Sequence, residues 1–364
     1  MINLQSNYPV LPQQDAAWKL QLHEAVERFG PDAVRLPAFG GSLHNRELAA
    51  AWMKVPVERA WICTSGHHGT MAALLAAGLP SGLPGKTIAV EALTYPWFIR
   101  QAHMLGMRVV PVALDAEGVD PDAFKAVCGR EKIAAFYTMP TMHNPTGKVA
   151  SRSRRESIVD VAREFGLTIL EDAAYSFLVP DEPPRYYELA PERAFYVESL
   201  SKRVVPGLRT CFLAGPVDLA EQITLALRVM SSGSSTLLAS LGCAMTADGS
   251  LAQVIEAKRR EGAARTAEAA KILIGLDAAA GPNSWHLWVT VSEETGLTAE
   301  TAERLCEQQG VLITGAHWFT APGADVPRAV RLGLGGETEW NRVAEGLRVF
   351  RGLVRATNQR RDEK

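Results

Sequence analysis

Through the middle of the chain, short runs of valine, isoleucine, leucine and alanine alternate with longer stretches whose apolar positions recur at helical spacing. The runs predict strands at Thr87–Glu91, Arg108–Val112, Ala134–Met139, Leu167–Glu171, Phe195–Glu198 and Thr210–Ala214. The stretches between them predict helices such as Thr70–Ala77, Trp97–Leu105, Ser151–Glu164 and Leu219–Met230. Strands alternating with helices form βαβ units, hence a mostly parallel sheet covered on both faces. Sheets of that kind place their ligands beyond the carboxyl ends of the strands.

From Leu251 to Ile274 the texture becomes charged, alanine-rich and helical, as in a connection to a second unit. Beyond it Trp285–Val291, Val311–Thr314 and Ala329–Leu334 read as strands, and Ala299–Gln309 and Trp340–Leu353 as helices. With 364 residues, two packed domains are the natural expectation. We expect a large domain over 45–250 and a small one built from 1–44 and 251–364. A short charged tail, Arg360–Lys364, is expected to fray.

The formal charge is −2, from 38 Lys and Arg against 40 Asp and Glu, so no overall field favours nucleic acid or an anionic membrane. A small-molecule substrate is the better expectation. Cys63, Cys128, Cys211, Cys243 and Cys306 are widely spaced and odd in number, which argues against a disulfide framework and for a reducing cytoplasm. No basic and apolar leader opens the chain, and no apolar run reaches the roughly 18 residues of a membrane span.

Four short segments carry chemistry. In Glu198-Ser199-Leu200-Ser201-Lys202, continuing to Arg209, a lysine framed by serines follows an apolar strand. Burial and nearby positive charge would lower its pKa and free its amine for Schiff-base chemistry, although a surface lysine is the commoner meaning of such a pattern. Asp172 ends the apolar run Ile169-Leu170-Glu171, where a carboxylate is either a helix cap or a buried partner for a cation, with Tyr175 three residues on. Asn144-Pro145-Thr146-Gly147 is a turn that can present an amide donor. Thr64-Ser65-Gly66-His67-His68-Gly69-Thr70 is a glycine-bearing turn opening a helix, whose free N–H groups suit a phosphate. Adjacent histidines diverge and no third ligand is in view, so no metal is expected at His67 and His68.

Taken in this order, the segments make the chain resemble fold-type I, pyridoxal-phosphate-dependent enzymes of class I/II aminotransferase type. It is most similar to the aminotransferase domain of MocR-type proteins, and the resemblance covers nearly all of the chain. It implies the α/β, aspartate aminotransferase-like fold of pyridoxal-phosphate transferases, with a mostly parallel sheet in the large domain and a smaller α+β domain. It implies that Lys202 holds the cofactor and moves the substrate proton, that Asp172 pairs with the pyridine nitrogen, and that Asn144 and Tyr175 bind the ring oxygen. Tyr95 matches the aromatic stacked on the ring. Ser199, Ser201 and Arg209, with Gly66 and the backbone at His67 and His68, match the phosphate cup. Arg331, in Val330-Arg331-Leu332-Gly333-Leu334, matches the arginine that grips the substrate carboxylate, with Asn144 beside it.

Two departures qualify the resemblance. MocR-type regulators carry a basic DNA-binding domain ahead of this region, whereas this chain starts almost directly at the enzyme part, which argues against a transcription-factor role. Many relatives place a tyrosine before the glycine turn that reaches the partner subunit's phosphate; here Arg35-Leu36-Pro37-Ala38-Phe39 precedes Gly40-Gly41. The expected activity is transfer of an amino group between an α-amino acid and a 2-oxo acid, by a cytoplasmic homodimer of amino-acid metabolism and biosynthesis. A lyase, cyclase, racemase or oxidase on the same cofactor is the alternative, kept open by His67, His68 and His143. A non-catalytic sensor of the cofactor or an amino acid is a further one. Trp285, Trp288 and Trp318 are either core or the wall of an apolar substrate pocket.

Overall fold

The computed structural model describes residues 1–11, 14–78 and 86–362. Among these, one sheet of seven strands comprises β1 (Ala60–Cys63), β2 (Thr87–Glu91), β3 (Arg108–Val112), β4 (Ile133–Thr138), β5 (Thr168–Asp172), β6 (Ala194–Ser199) and β7 (Cys211–Ala214). Their spatial order is β1-β7-β6-β5-β4-β2-β3. Every residue of β1, β2, β6 and β7 is buried, which two covered faces require. The parallel expectation holds from β3 across to β6. β7 departs from it, running antiparallel to both β1 and β6. β1 escaped the hydrophobic pattern because Ala-Trp-Ile-Cys is too short to register as a run.

Four of these strands end on a polar residue: Glu91, Thr138, Asp172 and Ser199 are each the last residue of their strand. Helices begin just beyond. Ser65 caps Gly66–Ala76 with its hydroxyl accepting from the His68 N–H, and Ser199 caps Leu200–Arg203 through the Ser201 N–H. The predicted helix Ser151–Glu164 is observed as Arg152–Glu164, with Ser151 as its cap.

A second, four-stranded sheet has the order Asp277–Ala279, His286–Thr290, Ala329–Gly333, Thr314–Gly315, and is antiparallel throughout. The predicted strand Val311–Thr314 is split. Thr314 belongs to this sheet, whereas Val311–Leu312 pairs in parallel with Ile2–Asn3 at the start of the chain. That pairing, with Leu4 fully buried, draws residues 5–8 across the gap between the two sheets. The helix Trp340–Asp362 runs into the tail expected to fray, and its backbone is helical up to Asp362.

Two apolar clusters form the cores. The larger takes in the seven-stranded sheet, Ala25 of the helix Gln14–Phe29, and Leu251 and Ile255; the smaller takes in Ile2, Leu4, Ala269 and the strands and helices near the C-terminus. The helix Ser250–Ile272 therefore belongs to both. At its crossing with the second sheet, Gly262 is packed so closely that an added methyl would overlap Asn283 O and lie 2.7 Å from Trp285 Nε1. Gly262→Ala would gain about 1 kcal/mol of helix propensity, but overpacking against backbone costs about 1–3 kcal/mol and prevails. A lower midpoint in thermal unfolding is the expected result, and an unchanged midpoint would show that the crossing is loose.

Candidate functional site

The carboxyl ends of the strands open into two confluent cavities, the outer of about 590 Å³ and the inner of about 90 Å³. Tyr8, Tyr95, Asn144, Tyr175 and Lys202 line both. The inner one is also lined by Gly66, His67, Asp172, Ser199, Ser201 and Arg209, and the outer one by Arg331. The folded chain thus brings together Lys202, Asp172, Tyr95, Gly66, His67, Asn144, Tyr175, Ser199, Ser201, Arg209 and Arg331 from segments spread over most of its length. His68 is the exception. Its N–H is taken by Ser65 Oγ at 3.2 Å, its Nδ1 accepts from the Thr64 N–H at 3.2 Å, and it lines neither cavity.

Lys202 stands where β6 has just ended, on the short turn of helix Leu200–Arg203. Its Nζ donates to Asn7 O at 3.1 Å and lies 3.0 Å from the centre of the Tyr8 ring, and no carboxylate pairs with it among the described residues. Burial, then the Arg331 charge, hold its pKa well below the ordinary lysine value, against the pull of Asp172. Asp172 Oδ2 accepts from Tyr137 OH at 2.7 Å and Oδ1 from the Ala174 N–H at 3.0 Å. Burial nonetheless pushes this carboxyl above its usual range.

Arg331 is buried in the second sheet, opposite Trp288. It donates from Nη1 to Asn144 Oδ1 and from Nη2 to Gln5 O, both at 2.7 Å, while Nε has no partner among the described residues. Burial lowers its pKa, and both of these acceptors are neutral. Tyr175 OH donates to Asn7 O at 2.8 Å, and Tyr95 OH lies 3.3 Å from His67 Nε2. The turn holding Asn144 closes with Gly147 at φ 73°, where an added Cβ would come 2.7 Å from Gly281 N.

His143 faces away from both cavities. Its Nε2 contacts Leu93 O at 2.9 Å and Glu91 at 3.2 Å, and its Nδ1 contacts Thr146 Oγ1 at 2.8 Å. Of the three tryptophans singled out in the sequence, only Trp318 reaches the outer cavity; Trp285 is core, donating to Lys258 O at 2.9 Å, and Trp288 packs on Phe319. Sequence reasoning missed Asn7, Tyr8, Tyr137 and Lys258. A tyrosine near the end of an apolar strand was a usable signal for Tyr137. Asn7 and Tyr8 carry none, because only the pairing of Ile2–Asn3 with Val311–Leu312 brings them to the site.

These groups suit pyridoxal phosphate. The buried Ser201 Oγ lacks a partner among the described residues, the helix starting at Gly66 opens at the inner cavity beside Arg209, and Asp172 is a half-buried carboxylate on the cavity wall with only neutral donors, which a ring N–H cation would complete. Fold and site together define the class: the aspartate aminotransferase-like fold of pyridoxal-phosphate-dependent transferases. The chain belongs to the aminotransferase class I and II family, which it matches over residues 1–347, and pyridoxal phosphate is the cofactor of that family.

LysN, an α-aminoadipate aminotransferase from Thermus thermophilus solved with N-(5′-phosphopyridoxyl)-L-leucine, superposes with a TM-score of 0.85 at 23% identity, covering 98% of this chain and 92% of that one. The HTH-type transcriptional regulator YdeF of Bacillus subtilis is 27% identical over 271 residues, 74% of this chain and 58% of that protein. The mitochondrial kynurenine/α-aminoadipate aminotransferase of Bos taurus is 27% identical over 272 residues, 67% of this chain and 63% of that protein. The chain thus spans less than two thirds of the length of these two curated relatives.

Proposed function

We propose that the protein moves the amino group of an α-amino acid to a 2-oxo acid. Pyridoxal phosphate, when bound, supplies an aldehyde for the amine and a ring that withdraws electrons from the reacting carbon. The observation that carries this reading is the meeting of Lys202, Asp172 and Arg331 around one pair of confluent cavities.

Each residue has a task its surroundings favour. The Lys202 amine, whose charge burial and Arg331 disfavour, would hold the cofactor through its aldehyde and would carry the proton to and from the substrate Cα. Asp172 would hold a proton on the ring nitrogen. Asn144 and Tyr175 would donate to the ring oxygen, and Tyr95 would lie on the ring face. Ser199, Ser201, Arg209 and the helix start at Gly66 and His67 would hold the phosphate. Arg331 would exchange Asn144 Oδ1 and Gln5 O for the substrate carboxylate, fixing the Cα–H for proton removal.

The test loads the purified protein with pyridoxal phosphate and offers amino acids with 2-oxoglutarate. New amino acid and new oxo acid in equal amounts are the expected result. Ammonia release or oxygen consumption without an acceptor would overturn it in favour of a lyase or oxidase. Arg331→Leu should raise KM for α-amino acids by about 10- to 100-fold, the worth of one or two charge-assisted hydrogen bonds. Amines lacking the carboxylate should be used as before, and an unchanged KM for amino acids would remove Arg331 from the site.

The reading extends to a homodimer in a reducing cytoplasm, acting in amino-acid metabolism and biosynthesis. Support for the first comes from the exposed apolar side chains of Val34, Leu36, Trp97, Met104 and Val229, and from the prevalence of two-fold assemblies. Support for the second is that all five cysteines are unpaired.

A further inference from the structure

Lys258 lies on the helix Ser250–Ile272, in a charged stretch that reads as a solvated face, yet its relative exposure is only 1%. No carboxylate pairs with it among the described residues. Its Nζ donates instead to two backbone carbonyls, Lys202 O at 3.0 Å and Val204 O at 2.6 Å. Burying an unpaired amine is unfavourable, and the burial pushes its pKa down to about 7. Both hydrogen bonds survive loss of the proton, since a neutral amine still has two N–H donors.

The two carbonyls flank the turn that ends the Lys202 helix. Val204 O also accepts from Gln14 Nε2, and the Lys258 carbonyl in turn accepts from Trp285 Nε1 at 2.9 Å. The turn is therefore gripped from the helix that belongs to both cores, and that helix is itself tied to the second sheet. Lys202 is the charged group electrostatically coupled to Lys258, while the arginines of neighbouring positions are otherwise engaged: Arg203 with Glu198, Arg265 with Glu261, and Arg259 with Phe177 O. On the cavity side, Lys202 faces Tyr8, Tyr175, Asp172 and Arg331.

We propose that Lys258 is a positioning residue for Lys202: by clamping the Lys202 and Val204 carbonyls it fixes the turn from which the reactive amine projects into the cavity. The inference rests on Lys202 being the group that bonds the cofactor. It concerns placement of that amine, so its consequence appears in a step requiring no amino acid substrate. In that step the neutral Lys202 amine adds to the aldehyde carbon of pyridoxal phosphate, a C=N bond forms, and the oxygen leaves as water. A shift of about 1 Å in a reacting group can slow such a step by about 100-fold.

The experiment mixes cofactor-free protein with pyridoxal phosphate, follows the absorbance of the captured cofactor, and confirms attachment by borohydride fixation and mass spectrometry. Lys258→Met, which keeps the unbranched side chain out to Cε and removes the donating nitrogen, should slow capture by about 10- to 100-fold and lower kcat with little change in KM. Lys258→Arg should recover much of the capture rate. A Lys258→Met protein that unfolds like the parent and captures at the parental rate would overturn the proposal. If Lys258→Met fails to fold, Lys258→Arg and Lys258→Gln, whose amide ends one atom short of the lysine nitrogen, are compared with the parent: faster capture by Arg than by Gln is expected, and capture by Gln at a rate equal to or above that of Arg would overturn the proposal. Failure of the parent itself to attach the cofactor at Lys202 would instead sink the reading of the site.

Discussion

Lys202→Ala is expected to cut turnover by at least about 1,000-fold and to leave no pyridoxal phosphate attached after borohydride treatment, because the variant has no amine to join the aldehyde or to carry the substrate proton. The loss should not come from unfolding. Among the described residues the amine contacts Asn7 O and the aromatic rings of Tyr8 and Tyr175, in a place where burial and Arg331 already disfavour its charge. Near-parental thermal unfolding with absent turnover is the combined result expected, and retained turnover would end the assignment. In the parent, the same depressed pKa sets the direction of the pH dependence: the reactive, neutral amine is depleted as pH falls through that value. Capture of the cofactor should therefore extend to lower pH than an ordinary lysine amine would allow, and should weaken as pH falls further; capture that tracks the protonation of a free lysine would show that burial does not depress the Lys202 pKa.

Asp172→Asn carries the next largest expected effect. The substitution keeps the shape and leaves an oxygen for Tyr137 OH, but removes the negative charge, so the cofactor nitrogen would lose the partner that holds its proton. Loss of a preorganised electrostatic partner in such a site is worth roughly 100- to 1,000-fold in rate. The phosphate cup is untouched, so cofactor affinity should fall far less than kcat. Equal losses in both, or a kcat near the parental value, would place Asp172 in a structural role.

Much of the site was legible in the sequence because its parts sit at the ends of apolar strands. Asp172 closes β5, and Ser199 closes β6 three residues before Lys202; a polar residue there interrupts a run of Ile, Leu and Val and is visible without any structure. The Ser65-Gly66 turn is visible in the same way, as a cap followed by a helix. His68 and His143 looked equally chemical, yet one is spent on a helix turn and the other on Glu91, Leu93 and Thr146. Which way a histidine points depends on the fold of its turn, to which residue type and spacing are blind.

The local pattern of the chain settled the elements: the apolar runs, the caps, and the seating of carboxylate, hydroxyl and amine at strand ends, all of which depend on neighbours a few residues away. Tertiary structure alone decided the rest. It turned β7 antiparallel, carried Asn7 and Tyr8 to Lys202 by pairing the first strand with residues 311–312, brought Arg331 onto Asn144 across 187 positions of sequence, and buried Lys258 out of a charged helix. Those outcomes depend on contacts between residues far apart along the chain, whose pairing follows from how whole sheets and helices share a core, and a local hydrophobic period holds no record of it.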